Sequence, residues 1–249
     1  MLMMGAAAPL ALAHDQDRGG GNGQALRVVG LTADGRLVAF NSERTRTVGS
    51  IGKVAGLSDD KSLVGIDYRI QDGKLYGVGN KGGIYTLSGG TAKASKVSQL
   101  SVALDGNSFG VDFNPAANRL RVISDSGQNL RHNIDDPMGM PAAGKTVVDG
   151  TLTYPPATIP ATGVTAAAYT NNDLDPNTAT TLFDLDTAAD QIVVQSPANA
   201  GALAPTGKLM VDAGPVAGFE IYSRTAFGVT QGNHGFASIG GLSEAVGSG

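Results

Sequence analysis

The chain has 249 residues, a formal net charge of −4, no cysteine and no tryptophan. The length fits one large domain or two small ones, and the acidic balance supplies no basic stripe for a phosphate backbone, so nucleic-acid binding is set aside. Absence of cysteine excludes disulfides, thiolate zinc sites, iron–sulfur clusters and a cysteine nucleophile, while 36 glycines beside 41% hydrophobic residues point to many strands and many turns.

The chain opens on Met1–Ala13, MLMMGAAAPLALA, an apolar run too short for a membrane-spanning helix, which needs about 20 residues. With Ala11-Leu12-Ala13 just before the polar His14-Asp15-Gln16-Asp17, it has the look of a secretory signal, although no Lys or Arg precedes it; an apolar tail is the alternative. Secretion or a periplasmic location is the expectation. Residues 18–24, RGGGNGQ, have linker composition, so residues 1–24 are placed outside the domain and residues 25–249 are read as one domain.

From there short apolar or β-branched runs alternate with turn residues, and no long helical period appears. Leu26–Leu57 reads as the later strands of a repeat unit, with Asp34-Gly35 as a hairpin turn. A full unit of four strand-length pieces follows: LVGIDYRI, KLYGVGN, GGIYTLS and KASKVSQL. The second has SFGVDFN, RLRVISD, QNLRHNI and KTVVDG; the third VTAAAYT, TTLFDLD, QIVVQS and APTGKL; the fourth AGFEIYS, TAFGVTQ, GFASIG and SEAVGSG. First pieces superpose at Asp67, Asp112, Ala168 and Glu220, a spacing of about 45–56 residues, close to a four-stranded blade. The expected fold is therefore all-β: a five-bladed β-propeller-like ring of four-stranded antiparallel blades, with the N-terminal blade short of its inner strand. A β-sandwich or irregular barrel is the alternative. Three explanations of the short blade remain open: truncation, a three-stranded blade, or a strand from the tail. If the edge beside Arg27–Thr32 is bare, it is a self-association site.

The run from Ser108 to Asp135, SFGVDFNPAANRLRVISDSGQNLRHNID, together with LVGIDYR, KLYGV and AAAYTNN, resembles the bacterial domain-of-unknown-function family 4394 over essentially Leu26–Ser243. The resemblance implies an exported, propeller-like protein and brings no activity with it. It also implies a further small-residue strand after the last blade, which this chain lacks.

Three sets of residues are candidates for chemistry. Arg119 and Arg121 share one face of RLRVISD with Arg131 on the partner strand, and with Asp125, Gln128 and Asn129 they form a clamp for a carboxylate, sulfate or phosphate, or structural ion pairs, for instance with Asp112. Asp67, Asp112 and Glu220 fall at equivalent inner-strand positions and form an acidic ring around the channel. That ring suits a hard cation such as Ca²⁺ or acid/base chemistry, or satisfies turn amides within each blade. Tyr169, Asn171 and Asn172, before Asp173 and Asp175, make a polar loop that is either a ligand contact or an ordinary turn. No cofactor is expected, calcium at the ring being the open exception, and His14, His132 and His234 have no zinc spacing. Tyr68, Tyr76, Tyr85, Tyr154 and Tyr169 are expected to fill blade interfaces.

Three catalytic strings lack their structural context. GMPAAGKT at 139–146 is interrupted by Pro141 and followed by VVDG; Gly106–Gly110 has nucleophile-elbow spacing but leads into a strand; Gly77–Gly82 has dinucleotide spacing and leads into another. No catalytic residue is assigned. The leading function is an exported binding, scaffold or self-assembling module for a small molecule, glycan or protein. The alternative is an extracytoplasmic hydrolase or lyase of an anionic glycan or phosphoester, with Asp112 or Glu220 as acid/base.

Overall fold

The computed structural model describes residues 10–11 and 25–239. Among these residues it is all-β, with four four-stranded antiparallel sheets arranged as propeller blades, one two-stranded sheet, and one 3-10 turn at Ala198–Ala200. The first sheet holds β1 (Leu10–Ala11), β2 (Arg27–Leu31), β3 (Arg36–Asn41) and β4 (Arg44–Lys53). The second holds β5 (Leu63–Arg69), β6 (Lys74–Gly79), β7 (Gly83–Leu87) and β8 (Ala94–Gln99). The third runs β9 (Phe109–Asn114), β10 (Arg119–Ser124), β11 (Asn129–Asn133) and β12 (Lys145–Val148). The fourth runs β13 (Val164–Tyr169), β14 (Leu182–Asp186), β15 (Gln191–Gln195) and β16 (Leu203–Lys208). The last is the hairpin of β17 (Ala217–Ala226) and β18 (Val229–Ile239).

The four expected first strands thus head four separate sheets, and they meet: β5 lies beside β9, β9 beside β13 and β13 beside β17. Strand β1 lies beside both β17 and β5. Five apolar clusters fill the gaps between successive sheets. Val29, Leu31 and Leu37 pack on Ile66, Leu75 and Leu87; Tyr76, Val78 and Ile84 pack on Val111, Phe113 and Leu120. Ile123 packs with Val164 and Tyr169, and Ala166, Ala168 and Leu185 with Phe219 and Ile221. The last cluster sets Phe236 of the hairpin against Val28 and Phe40 of the first sheet. Strand alternation explains why both sides of each blade are apolar: each sheet faces a neighbour on either side.

Three expectations need correction. The fourth unit does not supply four short strands. TAFGVTQ contains the turn of one long hairpin, with Phe227 and Gly228 at φ 53° and 79° between the paired residues Ala226 and Val229, the arrangement of a two-residue type I′ loop. Its supposed last strand, SEAVGSG, lies outside the described residues. The first sheet is not short of its inner strand, and of the three open explanations the strand from the tail is the one seen: Leu10 and Ala11 pair with Gly30 and Val29, so part of the segment placed outside the domain belongs to a sheet and occupies the edge beside Arg27–Thr32. The remainder of residues 1–24 lies outside the described residues. Asp34-Gly35 does sit in the β2–β3 turn, with Gly35 at φ 78°.

Candidate functional site

The inner strands carry a repeated glycine–x–acid pattern: Gly65-Ile66-Asp67, Gly110-Val111-Asp112 and Gly218-Phe219-Glu220. In β9 the glycine is a packing requirement. A Cβ on Gly110 would lie 2.7 Å from the backbone nitrogen of Ala167 and 2.8 Å from the carbonyl carbon of Ala166, so β9 and β13 approach too closely for any side chain. The acid two residues on then reaches across the narrow gap. Asp67 Oδ2 accepts the Phe113 amide of the next blade at 2.7 Å, and its Oδ1 accepts the Tyr68 amide at 2.6 Å. Asp112 Oδ1 accepts the Tyr169 amide, again of the next blade, at 3.3 Å. Asp67 and Asp112 therefore stitch blade to blade, and Asp67 also holds an amide of its own blade, as the within-blade alternative had it. Ala168 stands at the third position and makes no such bond.

Asp67, Asp112 and Glu220 are all buried, and each offers an oxygen within 4.8 Å of the others. Burial lifts the Asp67 carboxyl to about 7, and burial reinforced by the charges of Asp67 and Glu220 holds Asp112 well above the usual range. Asp112 Oδ2 has no hydrogen-bond partner. Just along the strands lies a cavity of about 20 Å³, lined by Gly65, Ile66, Gly110, Val111, Gly218 and Phe219 among others, with room for about one water.

The arginine clamp dissolves into structure. Arg121, 2% exposed, donates to Asp149 at 2.6 Å, to Asn129 and Asn199 at 2.7 Å and to the Tyr169 hydroxyl at 3.2 Å. Arg131 donates to both oxygens of the same Asp149. Arg119 is held by Asp136 and by the carbonyls of Ala117, Asn118 and Met140. The carboxylate partner of Arg121 and Arg131 is thus Asp149 and that of Arg119 is Asp136, rather than Asp112. Asp125 accepts the Asn107 amide, Gln128 bridges Ala103 and Asp105, and Asn129 donates to the carbonyls of Gly150 and Ala198. In the polar loop, Asn171 bonds Asn233 and Asn172 bonds Ser223 and Ile221, which staples the fourth sheet to the hairpin.

Asp149, Asn199 and Asp184 did not stand out in the sequence. Asp184 is fully buried, neither carboxylate oxygen has a partner, and burial holds it well above the usual range, with only the nearby Arg121 charge pulling it down. Alternation along β14, which puts Asp184 on the face of Leu182 rather than of Phe183, was the available signal. His132 is also fully buried, between Ser98 and Thr146, and burial pushes its imidazole down to about 4. The catalytic strings lie where their chemistry cannot work: 139–146 leads into β12, 106–110 into β9 and 77–82 into β7, with no helix after any of them.

A second hollow, a groove of about 540 Å³, opens on the second sheet. Tyr68, Lys74, Thr86, Ser88, Thr91 and Lys93 line it, and no carboxylate or histidine does.

The match that decides kinship covers residues 36–245, which fit the family described as Domain of unknown function (DUF4394). The chain belongs to that family. No curated protein matches it. Among solved structures, a DUF4394 chain such as this one is similar to a structural genomics protein of unknown function from Bacteroides thetaiotaomicron, at 11% identity and TM-score 0.51, covering 76% of this chain and 46% of that one. It is also similar to the major allergen Mala s 1 of Malassezia sympodialis, at 12% identity and TM-score 0.50, covering 94% and 77% of the two chains. An auxiliary nutrient binding protein from B. thetaiotaomicron matches at 12% identity and TM-score 0.49, covering 80% and 46%. The chain thus spans about half the length of the two Bacteroides proteins. Among the described residues, no helix is long and apolar enough to cross a membrane.

Proposed function

We propose that this DUF4394 chain is an exported five-bladed propeller, the hairpin β17–β18 being its shortest blade, and that it works as a binding or scaffold module rather than as a hydrolase. One observation carries the reading: in the two hollows lined by described residues, chemistry and space are separated. The acidic ring has the carboxylates, one of them lifted to about 7, but beside it is a cavity for one water, which admits no glycosyl or phosphoryl group. The groove on the second sheet has a volume in the range of small-molecule sites, but its lining offers hydroxyls and two lysines and no acid/base pair. Hydroxyl-rich walls with two cations suit an anionic glycan fragment or another small polar anion. The apolar Met1–Ala13 segment supports export, on this reading as a leader that is retained, because its Leu10–Ala11 strand pairs with Val29 and Gly30.

The test is a thermal-shift screen of the purified chain against anionic glycans and phosphoesters, paired with a turnover assay on the same compounds. A stabilising ligand whose effect is lost in Lys74→Ala/Lys93→Ala, with no turnover, is the expected outcome. Turnover abolished by Asp112→Asn overturns the reading.

A further inference from the structure

Three carboxyl groups enclosed within 4.8 Å of one another pose an electrostatic problem. Like charges at such separations in a buried site repel strongly, and a buried ionised carboxylate needs a compensating charge. The guanidinium of Arg121, whose charge bears on Asp184, is already bonded to Asp149. Asp184 adds a fourth buried carboxyl whose charge bears on Asp112. Backbone amides from Tyr68, Phe113 and Tyr169 occupy part of the oxygens. Asp112 Oδ2 remains: it belongs to a side chain only 1% exposed, has no hydrogen-bond partner, and its carboxyl lies against Asp67 and Glu220. An unpartnered oxygen so deeply buried calls for a ligand that donates positive charge.

We propose that Asp67, Asp112 and Glu220 together bind one calcium ion at the centre of the inner-strand ring. The donor set is oxygen only, which selects a hard cation over zinc, copper or iron. Oxygens within 4.8 Å of one another can surround an ion at the ~2.3–2.6 Å of a calcium–oxygen bond. Magnesium demands a tighter octahedron and keeps several waters, and the adjoining cavity has room for about one. Three carboxylates favour a divalent over a monovalent ion by charge. The ion would tie β5, β9 and β17 together at the axis, and Ala168 on β13 supplies no ligand.

The experiment uses the full chain, dialysed against a chelator and then titrated with calcium chloride alone, read by calorimetry and by thermal melting. One equivalent of calcium should bind, and at a concentration about a hundredfold above Kd the melting temperature should rise by roughly 5–10 °C. Magnesium at the same concentration should give a much smaller rise. Asp112→Asn keeps an oxygen for the Tyr169 amide while removing a charge, so it should fold, melt no lower than the calcium-free wild type, and show no calcium response. Glu220→Gln serves as the second variant, and Asp105→Asn, a surface substitution, should respond like the wild type. A wild type with neither a bound equivalent nor a calcium-dependent melt overturns the proposal, as does an unchanged calcium response in both Asp112→Asn and Glu220→Gln.

Discussion

Adding one methyl group at the ring centre, by Gly110→Ala, tests whether the inner strands are held at the limit of contact. The new Cβ would meet three backbone atoms of β13 at 2.7–2.9 Å, whereas ordinary Cβ contacts begin near 3.4 Å, so the strands must part by about 0.7 Å or twist locally. The Asp112–Tyr169 amide bond, already 3.3 Å long, would then open beyond bonding distance. Overpacking costs about 1–3 kcal/mol and the lost bond about 1 kcal/mol or more; lower entropy of the unfolded chain returns up to about 1 kcal/mol. The net is a loss of about 1–4 kcal/mol, which in a domain of this size lowers the melting temperature by about 2–16 °C. Urea denaturation followed by circular dichroism measures it, with Gly207→Ala as the control, because nothing lies within 4 Å of a Cβ there. A Gly110→Ala protein within about 0.5 kcal/mol of wild type would refute the reasoning that close strand approach, rather than chance composition, explains this glycine.

Arg121→Met should cost about 3–5 kcal/mol in the same assay, because it strands Asn129, Asn199 and the Tyr169 hydroxyl inside the protein; a loss below about 1 kcal/mol would show that the network is dispensable. His132, with its folded pKa near 4 below the ordinary 6.5, contributes stability that is complete above about pH 6.5 and disappears as pH falls through 4. The wild-type melting temperature should accordingly drop more between pH 6.5 and 4 than that of His132→Gln, and the difference isolates this group from the acidic ring, whose raised pKa values act in the opposite sense; parallel curves would contradict it. Deleting residues 1–24 removes β1 and uncovers β2 at Val29 and Gly30, so size-exclusion chromatography should show oligomers for the truncated chain and not for the full one. Two monomers of equal stability would show that this edge is inert.

What was legible in the sequence was local. Strand pieces bounded by turn residues gave blades two to four nearly strand for strand, because alternation and short hairpins are written in neighbouring positions. The fourth unit misled for the same reason: TAFGVTQ has strand composition, and nothing local announces that Phe227 adopts positive φ, a conformation usually left to Gly or Asn. The strand Leu10–Ala11 was legible only as one of three explanations of the short blade, a strand from the tail, since two residues carry no periodicity and a glycine-rich stretch separates them from their partner. Arg121 was found as a candidate but its role was not, because its partners Asp149 and Asn199 lie 28 and 78 positions away and only the ring geometry brings them together.

The acidic ring shows how one residue type answers two demands that the sequence could only present as alternatives. A carboxylate has about four lone-pair sites, so accepting one amide leaves capacity for another partner. Asp67 uses both oxygens on amides, one of them on the next blade, and is the more committed stitch. Asp112 spends Oδ1 on the next blade and leaves Oδ2 free within the ring. Stitching alone would be served as well by asparagine or serine, which accept an amide without bringing charge into a buried site. Glutamate at 220 and aspartate at 67 and 112 instead concentrate carboxyl groups where burial makes charge most costly: unmatched, they hold their protons, and a bound cation would let them ionise. Substituting Asp112 by Asn separates the two demands, because it preserves the stitch and removes the charge.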